Sequence, residues 1–283
     1  MLEFRRSFIL LLFATCAMQP ALSAADWAPN VTAAATWNDN VTNSPTSADQ
    51  LDSLQLSADV LSEHEYAIGR DDAVSLAAHF SGEWWPRYHS LLAGAVGGRA
   101  GWRHTFGTGT LAPTFSLEAG AHLVGARERG REGTGYRARA ALRKRLNQQW
   151  RVAIAHERTD HAARQEVYDI EGAETSIELG FDASNVSRFT LSARYRDGGV
   201  VSYGTSLDPL SLGVPSISEP VTTFDRPMIA SAYEARTWAG RVAYLRALDQ
   251  STAIIVGYEI RTTRAQPMRF SNQILSISVV TQF

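Results

Sequence analysis

Five arginines, Arg137, Arg139, Arg143, Arg145 and Arg151, occupy odd-numbered positions in the stretch 137–151. In a β-strand, side chains two residues apart share a face. They stand ~7 Å apart along it, inside the ~8 Å Debye length of physiological salt. Inside a confined, water-filled space such overlapping fields concentrate anions. Set against carboxylates, the same guanidinium groups form bidentate pairs that merely fill an interior. Arg99, Arg103, Arg194, Arg196 and Arg241 fall on the same polar face by strand register, as do Asp59, Glu83, Glu118, Glu174, Glu178 and Glu259. Glu174 and Glu178 are the nearest acids to the ladder, and Arg151 is expected to lose most to them. Of the 27 basic residues only Lys144 is a lysine.

A second pattern is His79-Phe80-Ser81. A histidine and a serine two apart on a strand are placed to act as base and nucleophile. The outer-membrane phospholipase A barrels carry His-x-Ser-Asn-Gly, but this chain has Gly82-Glu83 where that motif has Asn-Gly. Their site also faces lipid. Val74, Leu76, Ala78 and Phe80 fix a register that turns His79 and Ser81 to the polar side. No enzymatic role is therefore expected of them. His104, His122, His156 and His161 show no metal-ligand spacing, and the single cysteine excludes a multi-cysteine metal site or an internal disulfide. No metal and no cofactor are expected. Asn30, Asn40 and Asn185 match a glycosylation sequon and are discounted in a bacterial setting.

The elements that must carry these residues repeat with period two. Apolar residues alternate with polar ones through Val31–Trp37, Leu54–Val60, Val74–Trp84, Leu92–Trp102 and Phe115–Leu123. The pattern continues through Tyr136–Leu146, Trp150–Ile154, Thr175–Phe181, Phe189–Tyr195, Trp238–Tyr244, Ile254–Tyr258 and Leu275–Phe283. Short joints lie near 107–110, 147–149, 182–187 and 247–250. Longer ones lie near 39–50, 85–91, 125–135, 158–172, 197–236 and 261–271. Short turns at one end and long loops at the other are the pattern of an outer-membrane barrel. Aromatic residues at strand ends, such as Trp37, Trp84, Trp102, Trp150 and Trp238, suit the two membrane interfaces. The expectation is an all-β protein, a closed antiparallel transmembrane barrel of about 12 strands, or fourteen if the loop 197–236 hides a hairpin.

Length and termini fit this reading. Arg5 and Arg6, the apolar run Phe8–Ala17, and small residues at Ala21, Ser23 and Ala25 read as a signal peptide over 1–25. The barrel then takes 26–283. A net charge of -2 and a pI near 6.4 argue against nucleic acid as a partner. The last strand, ending on Phe283, resembles the C-terminal signal of Gram-negative outer-membrane barrels. That resemblance implies recognition by the barrel-assembly machinery. The stretches Trp37–Thr42, Ala100–His104 and Tyr195–Val201 resemble those of proteobacterial porin-like barrels, a likeness that implies the fold and assigns no residue a role. It also implies an outer-membrane location among lipid and lipopolysaccharide. Three functions fit: a small channel for polar or anionic solutes, a plugged structural or surface-interaction barrel, or a barrel lipase or esterase with a lipid-facing His/Ser pair. The first leads, with Arg99, Arg103, Arg137, Arg139, Arg143, Arg145, Arg151, Arg194, Glu174 and Glu178 as lumen candidates.

Overall fold

The computed structural model describes residues 27–205, 217–266 and 268–283. The signal peptide expected over 1–25 and part of the loop 197–236 lie outside them. The strands are β1 (Ala28–Asn38), β2 (Ser53–Ala67), β3 (Asp72–Trp84), β4 (Ala93–Thr105), β5 (Thr114–Ala126), β6 (Gly133–Arg145) and β7 (Trp150–Ala163). They continue as β8 (Ile170–Ser184), β9 (Ser187–Gly204), β10 (Ile217–Val221), β11 (Met228–Ala247), β12 (Thr252–Ala265) and β13 (Met268–Gln282). Each pairs antiparallel with its neighbours, and β1 closes the ring on β13, from Asn30 opposite Gln282 to Asn38 opposite Ile274. β9 pairs directly with β11, so twelve strands form the wall. β10 stands outside that ring and pairs only with Met228–Ala232. Among the described residues the long loop thus contributes one short strand to a hairpin, and twelve strands, not fourteen, form the wall.

Closure explains how the backbone is satisfied, because a ring of strands has no unpaired edge to present to lipid. The pleat then sorts the side chains. Leu54, Leu76, Phe80, Val96, Leu117, Leu142, Ile154, Ile177, Leu191, Val242, Val256 and Ile277 all point outward and are exposed. Such a continuous apolar belt far exceeds the few hundred Å² that a soluble monomer tolerates in one patch; a bilayer is what covers it. Ring pairs border the belt. Trp150 with Phe181 and Phe189 with Tyr244 lie at one end, Tyr195 with Trp238 toward the other.

The start of β1 and the end of β13 lie at the end with the tight turns, the periplasmic end of an outer-membrane barrel. Turn chemistry is local there. Asn147 Oδ1 accepts from the amides of Gln149 and Trp150 at 2.9 and 2.8 Å, and Asp249 Oδ1 accepts from those of Ser251 and Thr252 at 2.8 Å. At the opposite end one joint differs from expectation. β12 and β13 are separated only by residues 266 and 267, where the polar sequence from 261 to 271 reads as a long loop. The strands continue beyond the belt, and polarity there marks their exit from the bilayer. β7 shows the same effect: His156, Arg158 and Asp160 take the outward positions above Ile154.

Candidate functional site in the barrel lumen

The inward arginines are concentrated on one side. β6 to β9 turn eight arginines inward: Arg137, Arg139, Arg143, Arg145, Arg151, Arg188, Arg194 and Arg196. Four inward carboxylates, Glu157, Glu174, Glu178 and Asp182, share those strands. Halfway around the ring from β6 and β7 lie β13 and β1. Their inward positions are small and neutral: Thr32, Ala34 and Thr36, with Ser276 and Ser278 beside them. A basic wall therefore faces a short-chained one.

Pairing within the basic wall corrects part of the sequence reading. Arg151 bonds to Asp182, not to Glu174 or Glu178. The register is the reason: Arg151 sits opposite Gly180, and its side chain crosses that glycine to reach Asp182 two residues on. Asp182 also takes Arg145 at 3.1 Å and Arg188 at 2.7 Å, so one carboxylate holds three guanidinium groups at the periplasmic mouth. Arg137 pairs with Glu157 at 2.6 Å, and Arg194 pairs with buried Glu259 and lies 4.0 Å from Glu174. Arg99 bonds to Glu63 at 2.8 Å and lies 3.6 Å from Glu118, and Arg103 pairs with Glu65. Among the described residues no carboxylate lies within 4.0 Å of Arg139, Arg143, Arg196 or Arg241. Arg139 is flanked in register by Glu118 and Glu157, but both are drawn to other arginines. Arg143 and Glu178 face inward and are exposed, so water reaches the lumen in its periplasmic half.

Glycines keep the wall thin. A Cβ at Gly180 would meet Arg151 Cγ at 2.7 Å, one at Gly257 would meet Arg241 Nη2 at 2.8 Å, and one at Gly172 would meet Arg196 Nε at 2.9 Å. Each of these arginines lies flat over a glycine of the next strand instead of crossing the lumen. His79 and Ser81 do face the lumen. His79 Nε2 lies 2.6 Å from Asp59 Oδ2, and no hydrogen bond joins it to Ser81. The lipid-facing pair that a barrel lipase needs is not formed by these residues.

The other end of the lumen is built differently. Tyr88 and Leu91 from the β3–β4 loop, Val167 and Tyr168 from the β7–β8 loop, Val201 and Tyr203 of β9, and Val221, Phe224 and Met228 around β10 form one buried apolar core. Val41 and Leu51 of the β1–β2 loop pack on it. Loops rooted on opposite walls thus meet over the mouth. Phe224 packs edge-on against both Tyr88 and Tyr203, with centroids 5.0 and 4.9 Å away. A fully buried phenylalanine contributes roughly 1.5–3 kcal/mol. Polar ties reinforce this cap. Asp49 accepts from the amide of Thr205 at 2.9 Å and lies 3.3 Å from Arg226, while Tyr168 and Thr223 both donate to Glu128, at 2.9 and 2.7 Å. Burial raises the pKa of Tyr168 well above that of a free phenol, and that of Tyr88 as well.

Sequence reasoning missed the anchors of the cap. Asn40 is buried and donates to Ser44 O at 3.0 Å, while its Oδ1 accepts from Thr42 Oγ1 at 3.0 Å and the Ser44 amide at 3.1 Å. Asn272 donates to Asn40 O at 2.5 Å from the neighbouring strand. The signal was present in the Asn40-Val41-Thr42 spacing, which suits a side-chain-to-backbone turn as well as a sequon.

No protein-family model matches the chain, and no curated protein is detectably similar to it. Among solved structures, an outer membrane channel from Pseudomonas putida F1 is similar with a TM-score of 0.58 at 10% identity, over 94% of this chain and 100% of the other. The KdgM porin in complex with disordered oligogalacturonate gives a TM-score of 0.46 at 9% identity, over 90% and 99% of the two chains. The NanC porin gives 0.46 at 5% identity, over 89% and 100%. Likeness at the level of the last two carries no argument, and the first shows the fold. Together with the apolar belt and the closed ring, it identifies the molecule as a twelve-stranded β-barrel of the outer-membrane type.

Proposed function

We propose that the protein is a porin-like channel for small anionic solutes, with the arginines of β6 to β9 setting its preference. The observation that carries this reading is the basic wall itself: eight inward arginines against four inward carboxylates, facing strands with short neutral side chains. In a confined low-dielectric tube that excess raises the local concentration of anions. Arg139, Arg143 and Arg196 contribute most, because none of them is neutralised by a bonded acid. Arg99, Arg103, Arg137, Arg145, Arg151 and Arg194 shape the path while holding their carboxylates. The test is swelling of proteoliposomes in small organic anions and in cations of equal size. Faster entry of the anions supports the channel; equal entry of both removes the role of the basic wall.

One observation favours a second reading. The apolar cap spans the mouth from opposite walls, as it would in a barrel that is permanently shut and works through its surface. No swelling in any solute, with or without disruption of the cap, would favour that reading.

We also propose that Phe283 is the handle by which the assembly machinery takes the last strand. It is exposed on the apolar outer face, next to the closing seam, where its amide donates to Pro29 O at 3.1 Å. Phe283→Asp should lower the outer-membrane level several-fold and Gln282→Asp much less; equal levels would refute the proposal.

A further inference from the structure

Three arginines stand side by side on the outside of the barrel at the capped end. Arg236 of β11 is in register with Arg264 of β12, and Arg264 with Arg269 of β13. All three share the outward parity of Trp238, Ile260 and Leu275, and all three are exposed. The inward residues between them, Ala235, Ala265, Met268 and Phe270, are buried, so the row stands on a packed base. Like charges directly opposite one another on neighbouring strands destabilise a sheet.

The other register pair of arginines among the described residues, Arg145 and Arg151, shares Asp182 as its counter-ion. The outer row has no such provision. Arg236 lies 3.6 Å from Asp197, but no acid lies within 4.0 Å of Arg264 or Arg269 among the described residues. The height of the row places it at the membrane surface. The row sits two residues beyond Trp238 and four beyond Ile260, or ~13 Å along a strand. With the usual tilt, that places the guanidinium groups in the headgroup zone above the hydrocarbon. Trp238, opposite Thr262 and packed against Tyr195 with centroids 5.5 Å apart, marks the interface just below.

We infer that Arg236, Arg264 and Arg269 bind a phosphate group of outer-leaflet lipopolysaccharide, with the acyl chains of the same molecule lying on the belt around Ile260 and Leu275. Guanidinium groups meet phosphate bidentately, and one anion bridging neighbouring strands removes the repulsion within the row. This site is independent of what passes through the lumen.

The test is binding of lipopolysaccharide to the purified full-length barrel, followed by native mass spectrometry. Arg264→Gln with Arg269→Gln should weaken binding roughly 30-fold, whereas Arg264→Lys with Arg269→Lys, which keeps the charge and loses the bidentate fork, should weaken it by less. Arg158→Gln, which changes an outward arginine already paired with Glu171, should have no effect. Folding of each variant is checked by heat-modifiable gel mobility. On the wild type, lipid A stripped of phosphate should bind much more weakly, and millimolar inorganic phosphate should not compete. Equal affinity of wild type and the glutamine variant, or equal affinity for phosphate-free lipid A, would overturn the site. Full competition by inorganic phosphate would overturn its assignment to a lipid.

Discussion

The two halves of the lumen are built from opposite materials. The periplasmic half is lined by exposed arginines and glutamates, with short side chains across from them and no apolar core. The extracellular end is filled by Tyr88, Val167, Phe224 and Met228 from three connections, as tightly buried as the interior of a soluble domain. The contrast separates two tasks. A wall of charge discriminates among ions but cannot shut a tube, because charged groups keep water around them. An apolar core excludes water and shuts the tube, but has no preference between anion and cation. In the channel proposed above, selectivity rests with the strands and closure with the loops.

The largest expected effect comes from breaking the cap. Tyr88→Ala with Phe224→Ala removes two rings that pack edge-on at the centre of the cap. Large-to-small changes of this kind cost about 3–5 kcal/mol each in packed cores. Time-averaged conductance in a planar bilayer should rise tenfold or more, with ion preference unchanged. Unchanged conductance would mean that closure lies elsewhere.

Asp182→Asn should act in the other half and more weakly. It leaves Arg145, Arg151 and Arg188 crowded at the periplasmic mouth without their shared anion. Solvent screens these partly exposed groups, so the expected loss of stability is about 2 kcal/mol, read as a lower urea midpoint. Anion preference should increase at the same time. A midpoint equal to that of the wild type would show that the cluster is decorative.

The sequence disclosed the fold readily and the site incompletely, for a physical reason. Strand periodicity is local, so Leu275, Ile277 and Val279 announce an outward face without reference to any other strand. The polar face follows from the same parity, and the inward positions of Arg139, Arg143, His79 and Ser81 were legible from it. Which acid neutralises which arginine depends on cross-strand register and on reach over a glycine, and neither is local. Arg151 could be placed on the wall but not matched to Asp182. The cap was least legible. Its core combines residues from loops far apart in sequence, and its strands continue past the bilayer where the apolar alternation that reveals them has ended. The short β12–β13 joint was hidden by the same loss of contrast at Arg264 and Arg269.

The most direct test of anion selection by the strands is the reversal potential of the purified barrel in a planar bilayer under a potassium chloride gradient. Wild type is compared with Arg139→Glu combined with Arg143→Glu, in the background that lacks the two cap rings so that the path is open. The wild-type lumen should prefer chloride, and the double reversal should shift the potential toward potassium by a margin that shrinks as salt rises. A lumen that prefers potassium, or one whose reversal potential is the same with glutamate at both positions, would contradict the assignment and leave the arginines as structural filling.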